Sequence, residues 1–271
     1  MKSIKEDVAE DLYNTWLTIT FELKKHFQRK RVIISFSLAV LLPLIFYIVP
    51  KVWADFPDSA DQFASLSLEF VNLLIIIAGS LFAGDVISGE FEEKTGLLLF
   101  PTPQRHMTIF IGKYIGALIP TMMVLSIYYL TTAAELIGIY GAGALNLNMA
   151  KSFLVALVYT TSAVSVVFFF SSLLQRKITS MLLGFFSLMM ILPIISNVLQ
   201  FIVEVEPWYI VTYSAGLITD VFAVTTTIGG GPDGQLSFFT PDFYEGLGVM
   251  VVYTLVFLFI GVAFSIKRRM R

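Results

Sequence analysis

Three carboxylates crowd one short stretch of an otherwise apolar chain: Glu90, Glu92 and Glu93, followed by Lys94, Thr95, Arg105 and Lys113. Residues of this kind suit ion pairing at a docking surface. A rim pair there is worth only about 0.2–1 kcal/mol, whereas a desolvated pair that loses one partner costs about 2–5 kcal/mol. If the stretch is helical, Glu90 and Glu93 share a face and Glu92 points away. Other chemistries are missing. Cys is absent, and the two histidines, His26 and His106, lie far apart, so one chain assembles no thiolate site, no histidine-built metal site and no cysteine nucleophile. Gly112-Lys113-Tyr114 lacks both the earlier glycine and the Ser or Thr of a phosphate-binding loop, so the chain has no ATP-hydrolysing motif of its own. Asp85 and Glu135 fall near the ends of apolar runs, where a carboxylate reaches solvent as readily as it serves a function. The middles of the runs carry no charge, which disfavours a proton-coupled pump.

The elements that must position these groups are membrane helices. Of the 271 residues 56% are hydrophobic and 14% charged, with a mean hydropathy of +0.80. An ordinary soluble domain has about 45–50% apolar and about 25% charged residues. A helix needs about 20 apolar residues to cross the hydrocarbon core. Six runs qualify: Val32–Val49, Phe70–Ser88, Tyr114–Ala134, Phe153–Leu174, Ser180–Val203 and Gly246–Ile266. The sequence predicts an all-α integral membrane protein with six transmembrane helices, residues 32–271 forming the membrane domain.

Basic residues set the expected orientation. With both termini cytoplasmic, every Lys and Arg except Lys51 and Lys151 lies inside. Residues 1–31 carry Ile4, Val8, Leu12, Trp16, Ile19, Leu23 and Phe27 in steps of three and four, which predicts an amphipathic helix lying at the membrane interface. A helix docked on the rest of the protein is the alternative. Between the second and third runs, the inner loop 89–113 is longer than helix connections usually are and reads as a docking surface with a short charged helix. The outer loop 204–245 holds too many apolar side chains to stand bare in water. It predicts two short interfacial or re-entrant helices separated by the Gly229–Gly234 turn. Pro43, Pro120 and Pro193 should kink or loosen their helices. Gly112xxxGly116 and Gly79xxxAla83 offer faces for close helix contact.

Residues 84–113 read GDVISGEFEEKTGLLLFPTPQRHMTIFIGK. This resembles the inner loop of type-2 ABC exporter permeases, in which Glu-x-Glu-x-x-Thr precedes leucines, Thr-Pro, a basic residue and Gly-Lys. The matching positions are Glu90, Glu92, Thr95, Leu98, Leu99, Pro103, Arg105, Gly112 and Lys113. The departures are Lys94, Phe91 and one fewer residue between Pro103 and Arg105. The resemblance implies the permease subunit of an ATP-driven exporter at the cell membrane. It implies two such chains, identical or paired with a relative, on two separate ABC ATPase subunits that hold the ATP and Mg. The loop would then act as a coupling helix, with Glu90, Glu92, Glu93, Thr95 and Arg105 as contacts to the ATPase. Lipid is an implied partner and nucleic acid is not; no substrate residue is indicated. Two rivals remain at this point: a non-transporting anchor or sensor that binds an ATPase, and a lipid-modifying enzyme, disfavoured by the missing catalytic groups.

Overall fold

The computed structural model describes residues 4–53, 55–93, 106–222 and 241–269. Among these every regular element is helical. In chain order they are α1 (Ile4–Phe27), α2 (Lys30–Trp53), α3 (Ala60–Leu68), α4 (Val71–Ala83), α5 (Ser88–Glu92), α6 (His106–Tyr140), α7 (Leu147–Leu173), α8 (Lys177–Phe201), α9 (Val211–Ser214), α10 (Leu217–Asp220) and α11 (Phe243–Arg269).

Six helical stretches are long and apolar enough to cross a membrane: Lys30–Trp53, Ala60–Glu92, Met107–Tyr140, Leu147–Leu173, Lys177–Phe201 and Phe243–Ser265. Each contains one of the six runs expected from hydropathy, apart from a residue or two at run ends. The differences have physical causes. The third helix extends beyond its apolar run at both ends: its first turns pack on α1, with Gly112 and Gly116 against Thr18 and Glu22, and its last turn on α3, with Tyr140 6.2 Å from Phe63. The second begins earlier, with α3 lying between the first two apolar runs. Ser59 starts α3 by accepting a hydrogen bond from the Gln62 N–H at 3.3 Å.

Burial divides the six into two groups. α4, α6 and α7 form the interior, with Phe82, Leu74, Tyr128, Tyr159 and Phe168 fully enclosed. α2, α8 and α11 surround them and keep most of their apolar side chains outward. α11 runs along α7, holding Phe257 against Phe169 at 5.4 Å and Thr254 against Thr161 at 3.1 Å. Small residues set the close crossings. A Cβ at Gly84 would lie 2.6 Å from Met181 Cγ, and one at Gly184 would lie 3.0 Å from Val167 Cγ1.

Pro193 has a local consequence in α8. It offers no N–H to its own helix, and the preceding turn, Ser187–Ile191, widens to π geometry. The Leu192 N–H then bonds back to the Ser187 carbonyl.

The short helices α9 and α10 both precede the Gly229–Gly234 run rather than flanking it. That run lies outside the described residues. Val211, Ile218 and Phe222 are buried, while Trp208 and Tyr209 are half-exposed. The α10 segment reaches the bundle through Ser152, which donates to the Ile218 carbonyl at 2.6 Å.

Candidate functional site

The charges left over from six apolar helices collect at one end of the bundle, where α1 lies across α6. A small-residue face makes the approach possible. A Cβ at Gly112 would stand 2.8 Å from Thr18 Cβ, and one at Gly116 would stand 2.7 Å from Glu22 Cβ. Gly112xxxGly116 is therefore a contact face within the chain, and α1 is its partner. The surface α1 presents there is Thr15, Thr18, Ile19 and Glu22. Leu12, Trp16 and Phe27 of the apolar stripe stay exposed.

That contact encloses Lys113. Its side chain is 2% exposed and bonds Glu22 of α1 at 2.5 Å and Glu90 of α5. Lys25 stands 3.4 Å from the other Glu22 oxygen, so two ammonium groups face two carboxylates. Burial alone would raise the Glu22 carboxyl. The charges of Lys113 and Lys25, with the Lys113 hydrogen bond, override burial and hold it below its ordinary value.

A second cluster lies one turn up the second span. Asp85, 1% exposed, takes both Arg29 and Arg31, the latter at 2.9 Å. Arg31 also donates to the Leu81 carbonyl at 3.3 Å. His26 adjoins the two clusters, edge-on to Phe82 at 5.5 Å, with its Nε2 unpartnered. Burial pushes its pKa down to about 4, against the pull of Glu22 and Asp85.

The third pairing joins α5 to α8. Glu92 accepts the Lys177 backbone N–H at 2.6 Å, which places a carboxylate on the N-terminus of a long helix. Glu93 pairs with the Lys177 ammonium, and that hydrogen bond lowers its pKa. Ser171 of α7 completes the anchorage, accepting from the N–H groups of Ile87 and Ser88 at 3.0 and 3.2 Å.

The expected partition of the three glutamates needs correction. Glu93 does not share a face with Glu90: the helix ends at Glu92, Glu93 occupies its cap, and Glu92 and Glu93 both turn to Lys177. All three are engaged within the chain. Asp85 and Glu135 are not solvated ends either, being 1% and 7% exposed. Thr95 and Arg105 lie outside the described residues. Sequence reasoning missed Glu22 and the central place of Lys113. The signal was present, in a lysine directly beside a glycine face and a glutamate on the polar side of the N-terminal helix. Among the described residues, no three His, Asp or Glu side chains are grouped to hold a metal ion.

The family model of the ABC-2 family transporter proteins matches residues 18–191. The chain belongs to the ABC-2 transporter family. The match begins at Thr18, at the glycine contact, and ends at the widened turn of α8, so it contains every ion pair described above. A search of curated proteins found no match. As an ABC-2 family protein, this chain is a multi-pass membrane permease component of an ABC transporter. Its charged end ties α5 and its cap residue Glu93 to three separate helices: α1 and α6 through Lys113, and α8 through Lys177.

Proposed function

We propose that this chain is the membrane half of an ATP-driven exporter, powered by a separate ABC ATPase. The observation that carries the reading is the anchorage of α5, in a chain of this family. A push on segment 94–105 passes through Glu90 to α1 and α6, and through Glu92 and Glu93 to α8. In this reading the charged end faces the cytoplasm, as the asymmetry of Lys and Arg supports. Thr95, Leu97–Phe100 and Arg105 meet the ATPase. Glu90, Glu92 and Glu93 position the loop and transmit its movement. In this reading α1 lies in the membrane interface with its other face on α6, which the exposed Leu12, Trp16 and Phe27 support. Two such permeases, identical or related, complete the pathway with two ATPase chains that carry ATP and Mg.

The test is co-purification of the ATPase with the permease, followed by nucleotide-driven depletion of cargo from one side of a vesicle. Arg105→Ala with Leu98→Ala is expected to release the ATPase. Glu92→Gln with Glu93→Gln is expected to retain it while uncoupling hydrolysis from transport. Retention and full coupling in both variants would overturn the assignment. ATPase binding without any cargo movement would instead identify an anchoring subunit.

A further inference from the structure

At the end of the bundle away from the ion pairs, the segment after α8 folds against the first turns of α11 and leaves a cleft of about 680 Å³. Two carboxylates, Glu206 and Glu245, line it together with the rings of Trp208, Tyr209 and Tyr253, and Gly248 keeps it open. Glu206 accepts the Tyr213 hydroxyl at 3.0 Å, which leaves its charge and its second oxygen available. The Glu245 side chain makes no hydrogen bond or ion pair among the described residues and is exposed. The Trp208 and Tyr209 rings stand edge to face with centroids 5.9 Å apart, 54% and 45% exposed. Among the described residues no Lys or Arg lines the cleft.

Aromatic faces beside unneutralised carboxylates have one ligand chemistry in common, a weakly hydrated organic cation. Ring quadrupoles attract such a cation, most strongly at Trp, and quaternary ammonium groups are bound in cages of this composition. A hard metal ion needs several converging oxygen ligands, and the described residues group no three Asp, Glu or His side chains to supply them.

The α11 surface continues the cleft towards the other end. Glu245, Gly248, Val252, Leu255 and Phe259 recur at steps of three and four, so they form one stripe. Leu255, Val256 and Phe259 then line an apolar groove of about 540 Å³ against Met107 and Ile111 of α6. From Glu245 to Phe259 the helix rises about 21 Å, the span of a long alkyl chain. An acidic, aromatic cleft at the head of an apolar groove matches the two ends of one molecule.

The geometry points to a binding site for an amphiphile with a cationic headgroup, a quaternary or alkylated ammonium held by Glu206, Glu245, Trp208 and Tyr209, its tail lying along α11. The site requires only the cleft and does not depend on the transport reading. A membrane lipid and a cargo amphiphile offer the same chemistry.

The full chain, reconstituted in phosphatidylglycerol nanodiscs, is titrated with dodecyltrimethylammonium and with uncharged dodecyldimethylphosphine oxide. The cation is expected to bind saturably and the uncharged probe to bind at least ~10-fold more weakly, the factor expected for a desolvated cation–π contact. Glu245→Gln and Trp208→Leu should each weaken the cation ~10-fold. Gly248→Leu should abolish binding with the unfolding temperature unchanged, since a Cβ there meets no atom within 4 Å. Equal affinity for both probes, or variants that bind like the parent, would overturn the site. So would a disulfide between two copies of Val252→Cys, which would give this face to a second chain. Repeating the titration in phosphatidylcholine separates the sources. Competition by the choline lipid assigns a lipid site. Undiminished binding, with nucleotide-driven movement of the probe by the ATPase complex, assigns a cargo site.

Discussion

Lys113→Met tests the buried ion pairs directly. Met keeps most of the side-chain volume and removes the charge, leaving Glu90 with no cation among the described residues and Glu22 with Lys25 at 3.4 Å. Removing one partner of a buried pair costs about 3–5 kcal/mol, because the other charge stays out of water without compensation. Lys25 is about one-third exposed and its attraction is partly screened, so it recovers only a fraction of that. For a chain of this size 1 kcal/mol moves the unfolding temperature by about 2–4 °C, so a fall of about 10 °C is expected. The assay is thermal unfolding in an uncharged detergent, followed by Trp fluorescence, since Trp16 sits on α1. The triple variant Lys113→Met, Glu22→Gln, Glu90→Gln removes all three charges together. It should recover most of the loss, as replacing a whole buried ionic group with uncharged side chains is often neutral. A single variant within about 2 °C of the parent, or a triple variant no better than the single, would refute the reasoning.

Three further outcomes follow from the same end of the molecule. Gly112→Leu should displace α1 and expose it to limited proteolysis, because its Cβ would sit 2.8 Å from Thr18; Gly138→Leu, with nothing within 4 Å, should not. His26 is neutral when folded, with a pKa of about 4 against 6.5 ordinarily. Between those values the unfolded chain binds the extra proton, so stability should be intact above pH 6.5 and fall by about 3 kcal/mol as the pH drops to 4, a loss that His26→Leu removes. The proposed orientation is checked with an impermeant thiol reagent on intact cells, in a chain with no native Cys: Ser237→Cys should label from outside, while Ser3→Cys and Thr95→Cys should not.

The six spans were legible because hydropathy and length act on each helix alone. α3 was not, since its acidic, half-apolar sequence reads equally as a loop until Phe63 and Leu68 are seen buried. The ion pairs were illegible for a different reason. Asp85 meets Arg29 and Arg31 across more than fifty positions of chain, and Glu90 meets Lys113 only after an intervening segment. Spacing identified the acidic group at 90–93 as unusual, but the single turn of α5 decides where each carboxylate points. Glu92 and Glu93 turn together because the helix stops between them. The glycine face on α6 was readable as a contact, whereas its partner depended on which helix lay nearest.

The docking of α1 also orders the making of the protein. Glu22 emerges early in synthesis, and the side chain that neutralises it lies ninety-one positions later, on the third span. Until that span has entered the bilayer, the N-terminal helix has no glycine face to rest on, and Arg29 and Arg31 wait for the second span to deliver Asp85. The first helix to be translated is thus among the last to be seated. A chain interrupted before Lys113 carries Glu22, Glu90 and Asp85 at the bilayer surface without the cation that joins the first two, a difference in charge that distinguishes an unfinished chain from a complete one.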